Sequence, residues 1–215
     1  MIKVESFENE LLASKCYVVI DEVSKSCLVI DPASKECLKE IELIERLGLK
    51  LEYIIITHEH TDHCWGVNAL KRMYPDSKIV YSEACNNNIK KANRIFFQFY
   101  FDNLDEYDDV LPPDVIIKTS DDFILWGNNK VQFILTPGHS LGSMCIELKG
   151  ILFTGDTLTP FPPVFSGSGR NKEDWEKSVK QVLSKFSKSA LLYPGHGNIL
   201  TLEDWEKQNG VFLYS

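Results

Sequence analysis

The chain has 215 residues, 44% of them hydrophobic, which is enough for one well-packed domain and too few for two of ordinary size. Its formal net charge is −8 and no run of Lys or Arg forms a basic stripe, which argues against nucleic acid as a partner. The first residues lack the basic-then-apolar order of a signal peptide, and no apolar stretch approaches the roughly 18 residues of a membrane span. Six cysteines without a CxxC pair are typical of reduced thiols, so we expect a cytoplasmic protein that does not bind membranes.

Short apolar strands alternate with helical segments along the whole chain. Hydrophobic periodicity predicts strands at 15–20, Ser26–Ile30, 53–57, 79–81, 115–118, 131–136, Met144–Leu148, 151–154 and 190–193. It predicts helices at 34–47, 65–74, 172–186 and 202–208. Many strands with helices between them favour a layered α/β architecture.

The segment at about 85–113 interrupts this alternation and is predicted to be a helical insertion. Five aromatic residues lie between Phe96 and Phe101, and five acidic residues follow within 102–109. The acids lack the spacing of a calcium loop, so they are interpreted as a solvated face. Five aromatic residues within six positions are more than the apolar face of one amphipathic helix can hold. We therefore expect Phe97, Phe99 and Tyr100 to line a substrate pocket or to contact a second subunit of a homodimer, with burial in the core as the alternative.

All five histidines and one aspartate follow predicted strands. Three of the histidines lie in the stretch His-Glu-His-Thr-Asp-His at 58–63, His139 and His196 each follow Pro-Gly, and Asp156 lies in Thr-Gly-Asp-Thr. Residues at strand ends are where α/β sheets gather their functional groups. A single buried histidine is more often a hydrogen-bonded core residue than a ligand. The repeated placement after strands nevertheless favours one shared metal centre.

The spacing within 58–63 also suits metal coordination. His58 and His60 share a face of an extended turn and can bind one ion, while Asp62 and His63 can point at a second. The carboxylate of Asp156 has two oxygens and can bridge two cations. Nitrogen and oxygen ligands without thiolate favour two zinc ions, with iron or manganese possible. The neighbouring Cys64 is expected to face the packing interior of the following helix.

Four motifs occur in order: THxHxDH, TPGHSxGS, FTGDT and PGHG. Over about residues 15–200 they resemble the metallo-β-lactamase superfamily, and most of all its single-domain glyoxalase II-like branch. The resemblance implies one domain spanning 1–215 with a four-layer αββα sandwich of two mixed β-sheets and outer helices. It also implies one metal on His58, His60 and His139, a second on Asp62, His63 and His196, and Asp156 as the bridge.

Departures from the family pattern narrow the expected substrate. True β-lactamases lack a bridging aspartate at the position of Asp156, so its presence here argues against antibiotic hydrolysis. The stretch Gly167-Ser168-Gly169-Arg170 resembles the substrate-binding Gly-Cys-Gly-Lys/Arg of glyoxalase II, so Ser168 and Arg170 are predicted to contact substrate. Alternatively, Arg170 pairs with an acid at 173–174. Because the sequence continues only a short way past His196, we expect no helical glutathione domain. Glutathione thioester therefore remains one candidate.

These residues predict a mechanism. Two cations would lower the pKa of a bridging water, so that hydroxide is available at neutral pH, and Asp62 would orient it and accept its proton. With every histidine used as a ligand, none can protonate a leaving group, which favours a thiolate, whose parent pKa is about 8.5. The predicted function is hydrolysis of a small thioester or activated ester. The alternatives are a mononuclear iron enzyme similar to persulfide dioxygenases, using His58, His139 and Asp156, and a non-catalytic binding module.

Overall fold

The computed structural model describes residues 1–101, 108–166 and 169–213. They divide into two compact units, Met1–Ile116 and Ile117–Ser215. None of the helices in the described part of the chain combines the length and the apolar character needed to cross a membrane.

The first unit is built on a six-stranded mixed sheet with the strand order β1-β2-β3-β4-β5-β6. The strands are β1 (Ile2–Glu8), β2 (Lys15–Asp21), β3 (Ser26–Ile30), β4 (Lys50–Ile55), β5 (Lys78–Ser82) and β6 (Val115–Ile117). The helices are α1 (Leu38–Leu47), α2 (Thr61–Cys64), α3 (Val67–Met73) and α4 (Glu83–Tyr100). Strands β3, β4 and β5 run parallel, so their carboxyl ends lie at one edge of the sheet. Residues that follow β3 and β4 are therefore neighbours.

The second unit has its own six-stranded sheet, with the order β12-β11-β10-β9-β8-β7. Its strands are β7 (Phe123–Trp126), β8 (Asn129–Leu135), β9 (Met144–Leu148), β10 (Ile151–Gly155), β11 (Leu191–Pro194) and β12 (Leu200–Thr201). Its helices are α5 (Lys172–Lys185) and α6 (Leu202–Asn209), followed by a 3-10 turn at Gly210–Leu213. Because β9 is antiparallel to both β8 and β10, and β11 is parallel to β10, strands β8, β10 and β11 end at the same edge.

The predicted strands and helices are confirmed, with boundaries that shift by a few residues. The largest shift is in α1, which begins at Leu38 because Cys37 adopts a left-handed conformation (φ 48°) and closes a turn onto the Ser34 carbonyl. Three strands were not predicted: β1, β7 and β12. In β1 none of the seven residues is fully buried, so its sequence carries little of the hydrophobic signal that marks a strand.

The aromatic segment forms much of α4. Phe97 is buried and its ring meets that of Trp65 edge-on at a centroid distance of 5.3 Å, whereas Phe99 is 81% exposed. Burial in the core therefore describes Phe97, while a role of Phe99 in a substrate pocket or a subunit contact stays a prediction. The side chain of Tyr100 and all of residues 102–107 lie outside the described residues. A single domain over 1–215 with an insertion at 85–113 remains a prediction.

Candidate metal centre

In the first unit the histidine-rich stretch 58–63 lies directly after β4 and continues into the single turn of α2. His58 and His63 are completely buried, and Asp62 is nearly so. Buried imidazole and carboxylate groups are costly unless other polar groups or a metal satisfy them. The hydrogen bonds around this loop therefore indicate what the side chains are arranged to bind.

Asp31, at the carboxyl end of β3, organises the loop. Its carboxylate accepts hydrogen bonds from the Thr57 amide (2.7 Å), the Thr57 hydroxyl (2.7 Å) and Nδ1 of His63 (2.9 Å). Since the Thr57 hydroxyl donates to Asp31, its oxygen accepts the Nδ1 proton of His58, at 3.0 Å. Both histidines therefore carry their proton on Nδ1 and present Nε2 as the metal-binding nitrogen.

The ligand atoms of this loop have the separation that a shared ion requires. Two ligands at about 2.05 Å from a tetrahedral zinc ion lie about 3.3 Å apart. Nε2 of His58 is 3.0 Å from Nδ1 of His60, and Nε2 of His63 is 3.5 Å from Oδ2 of Asp62. The loop thus places two pairs of nitrogen and oxygen atoms at this separation, and their role as metal ligands stays a prediction.

Several residues that hold this loop were missed by the sequence reasoning. Besides Asp31, the carboxamide of Asn93 on α4 hydrogen-bonds to the loop, and the Ser14 hydroxyl donates to the Asp62 carbonyl at 2.5 Å. A signal existed for Asp31, because it follows a predicted strand just as His58 does. The strand that it follows is the predicted strand Ser26–Ile30.

In the second unit the three predicted ligands follow three strands that end together. His139 follows β8, Asp156 follows β10, and His196 follows β11. The parallel pairing of β10 with β11, continued by a hydrogen bond from the Gly195 amide to the Gly155 carbonyl (2.8 Å), places Asp156 beside His196. The sheet itself therefore brings together residues that are far apart in sequence.

Asp156 is the common neighbour of the two histidines of this unit. Its Oδ2 lies 3.4 Å from Nε2 of His139 and 3.5 Å from Nε2 of His196. The side chains of the three residues are between 11% and 20% exposed, so solvent reaches them. Both distances match the separation of about 3.3 Å expected for ligands on one zinc ion. The donor set of each unit therefore fits a transition metal.

The turn that carries His139 depends on close packing against α5. Gly138 has φ +137°, and a Cβ atom there would lie 2.3 Å from the backbone of Trp175. Only glycine fits this position. The backbone N–H of Asn171 donates to the Gly138 carbonyl, and the Ser178 hydroxyl donates to the Pro137 carbonyl at 2.7 Å. Helix α5 thereby fixes the turn.

The remaining predicted site residues lie as follows. Arg170 donates from Nη1 to the Val164 carbonyl at 2.9 Å. Its proposed partner Asp174 forms an ion pair with Lys177 instead, with 3.8 Å between Oδ1 and Nζ. Ser168 lies outside the described residues. Cys64 is fully buried and donates from Sγ to the His60 carbonyl, which is the interior position that was predicted.

All six cysteines are unpaired and buried. Burial raises the pKa of the Cys27 thiol to about 12 in the first unit, and that of the Cys145 thiol to about 12 in the second. Burial also raises the pKa of Cys64 well above its ordinary value. These thiols therefore stay protonated near neutral pH and act as small apolar side chains.

Comparison with known proteins agrees with the fold and the motifs. The chain matches the model of the metallo-beta-lactamase superfamily over residues 10–196. It is 32% identical over 182 residues, 84% of this chain and 72% of the relative, to the probable polyketide biosynthesis zinc-dependent hydrolase PksB of Bacillus subtilis. It is 34% identical over 119 residues to a hydroxyacylglutathione hydrolase of Francisella philomiragia, which covers 54% of this chain and only 38% of that protein.

The fold is also shared with solved structures. The crystal structure of the BLEG-1 B3 metallo-beta-lactamase superimposes with a TM-score of 0.86, covering 98% of this chain and 99% of that one, at 19% identity. The predicted fold class, two mixed β-sheets with flanking helices, is thereby confirmed. On the family match, the relatives and the ordered motifs, this chain belongs to the metallo-β-lactamase superfamily.

Proposed function

We propose that this protein is a binuclear metal-dependent hydrolase that cleaves a small thioester or activated ester. The observation that carries the proposal is the set of four ligand-atom separations between 3.0 and 3.5 Å, together with two histidines whose Nδ1 protons are engaged elsewhere. Superfamily membership and the zinc-dependent hydrolase named among the relatives support the same class of enzyme.

The ligand sets that we propose are those implied by the family resemblance. One ion would be held by His58, His60 and His139, a second by Asp62, His63 and His196, with Asp156 shared between them. Zinc suits these nitrogen and oxygen donors, and iron or manganese could replace it. When bound, two such ions would supply a hydroxide nucleophile at neutral pH and polarise the carbonyl of the substrate.

The side chains set what kind of bond can be broken. Asp62 is a carboxylate on the ligand loop, and in this proposal it would orient the nucleophile and take up its proton. All five histidines of the chain are assigned as ligands, so none remains as a general acid. A thiolate leaves without protonation far more easily than an alkoxide or an amine. This favours thioesters over ordinary esters and amides.

The test measures metal content and substrate preference in the same preparation. We expect about two transition-metal ions per chain, and faster hydrolysis of glutathione, coenzyme A and pantetheine thioesters than of oxygen esters with the same acyl group. A protein that holds no metal and takes none up on dialysis against zinc would overturn the proposal. One iron per chain with oxygen consumption would identify the dioxygenase alternative, and two metals without turnover would favour the binding module.

The pH dependence provides an independent check on the assigned roles. With no histidine left to act as an acid, the rate of thioester hydrolysis should rise with pH along a single limb and reach a plateau near neutrality. A second, falling limb near pH 7 in the same assay would reveal a general acid and contradict the assignment of all five histidines as ligands.

A cytoplasmic location, a small-molecule substrate and a possible homodimer are part of the same proposal. The buried, unpaired thiols are compatible with a reducing compartment. The strongly exposed Phe99 is where a subunit contact could form, and Arg170 and Ser168 are retained as candidate contacts to the substrate.

A further inference from the structure

Helix α4 has one polar residue in an otherwise apolar buried stripe. Cys85, Ile89, Asn93 and Phe97 follow one another at intervals of four residues and are between 0% and 4% exposed. A carboxamide at such a position is costly unless its hydrogen bonds are made. A leucine would serve packing alone, so Asn93 requires a separate explanation.

The carboxamide of Asn93 makes every hydrogen bond of which it is capable. Nδ2 donates to the carbonyls of Glu59 (3.0 Å) and Ile89 (2.7 Å). Oδ1 accepts from the Thr61 hydroxyl (2.6 Å) and the Cys64 thiol (3.5 Å). Two donors and two acceptor sites are the full capacity of an amide. Two of the four partners, Glu59 and Thr61, belong to the 58–63 loop, and a third, Cys64, directly follows it.

The two closest loop partners occupy the positions between the ligands. In the stretch 58–63, ligands occur at His58, His60 and Asp62, and Asn93 holds Glu59 and Thr61, the residues between them. A shift of either would move a ligand on each side. The contact joins α4 to residues 34 and 32 positions away in sequence, so it is a tertiary and not a local constraint.

We infer that Asn93 is a positioning residue that holds the ligand loop in its metal-binding conformation, an inference that rests on the proposed metal site. The loop is pinned on one side by Asp31, through Thr57 and His63, and on the other by Asn93. Loss of an outer partner of metal ligands costs about 10- to 100-fold in metal affinity. Asn93 should contribute in that range without touching metal or substrate.

The experiment compares four variants by zinc titration against a chromophoric chelator and by the visible spectrum of the cobalt-substituted protein. Asn93→Asp replaces the amide donor by an acceptor facing the Glu59 carbonyl, and Thr61→Val removes the hydroxyl at nearly constant volume. Both should weaken zinc binding, Asn93→Asp by about 10- to 100-fold, and alter the cobalt spectrum. Thr61→Ser keeps the hydroxyl and should restore wild-type values. Asn88→Asp is the matched control, because among the described residues the Asn88 carboxamide donates to the Ala84 carbonyl, within α4 itself.

Hydrogen–deuterium exchange of the metal-free protein separates this inference from the proposed function. Asn93→Asp should speed exchange in the peptide that covers 58–64 and leave the sheet strands unchanged. Wild-type zinc affinity and wild-type exchange in Asn93→Asp would overturn the positioning role, as would equal losses in Asn88→Asp. If Asn93→Asp does not fold, the two Thr61 variants provide the test. Equal zinc affinities of Thr61→Val and Thr61→Ser would also overturn the positioning role of Asn93. Absence of zinc binding by the wild-type protein would instead contradict the proposed function.

Discussion

The two units present candidate metal ligands in different ways. In the first unit four candidates come from six consecutive residues, and their loop is held by the side chains of Asp31 directly after β3, Asn93 on α4, and Ser14. In the second unit three candidates follow three separate strands, and the carboxylate of Asp156 lies close to both histidines. His58, Asp62 and His63 are more deeply buried than the three candidates of the second unit.

The difference teaches where each set is vulnerable. Hydrogen bonds spread over several residues share the task of holding the 58–63 loop, so the loss of one leaves the others in place. In the second unit the sheet holds the backbone, and one carboxylate, that of Asp156, lies within 3.5 Å of a ring nitrogen of both histidines. Removal of that carboxylate should therefore cost more than removal of any single supporting group in the first unit.

The largest expected effect is that of Asp156→Asn. The amide retains the shape of the side chain but loses the charge that two ions would share, so we expect a loss of kcat of more than about 100-fold, above the range for outer partners. The loss should exceed that of any single His→Ala variant, because water can partly replace one imidazole. Steady-state kinetics at saturating zinc measure it, with exposed Asp121→Asn as the control. A near wild-type rate for Asp156→Asn would contradict the greater importance assigned to this carboxylate in the second unit.

A smaller effect is expected for Asp31→Asn in the first unit. The amide can still accept from Thr57, but its NH2 group faces Nδ1 of His63 unless the side chain turns. We expect zinc affinity to fall about 10- to 100-fold, as for loss of the carboxylate behind a histidine ligand. Zinc titration with circular dichroism checks that the fold persists. Unchanged affinity would show that the loop does not need the Asp31 carboxylate.

The smallest effect on metal binding is expected when the aromatic rings of α4 are replaced. These variants distinguish an effect on folding stability from an effect on binding. Phe97→Ala removes a buried ring and should lower the free energy of unfolding by about 3–5 kcal/mol. Phe99→Ala changes an exposed ring and should stay within about 0.5 kcal/mol. Urea titrations measure both. If Phe99→Ala raises KM or dissociates a dimer while the metals stay bound, the outer ring contacts substrate or a second subunit. Equal losses of stability would contradict the assigned burial.

Much of the fold could be predicted because its strands carry a strong signal. Strands β3 and β9 were predicted to the residue, since nearly all their positions are buried and apolar. Edge strands such as β1 and β12 were not, because half-exposed strands have mixed side chains and little periodicity.

The sequence by itself determined the candidate ligands and the fold class. Metal ligands belong to a few residue types, and they follow apolar strands in motifs that the chain preserves in order. Only the tertiary structure decided which groups hold those ligands. Asp31 reaches Thr57 and His63 across 26 and 32 residues, and Asn93 reaches Glu59 across 34. Such contacts depend on which strand ends and helix faces become neighbours, and an aspartate or asparagine leaves no local pattern that reveals its distant partner.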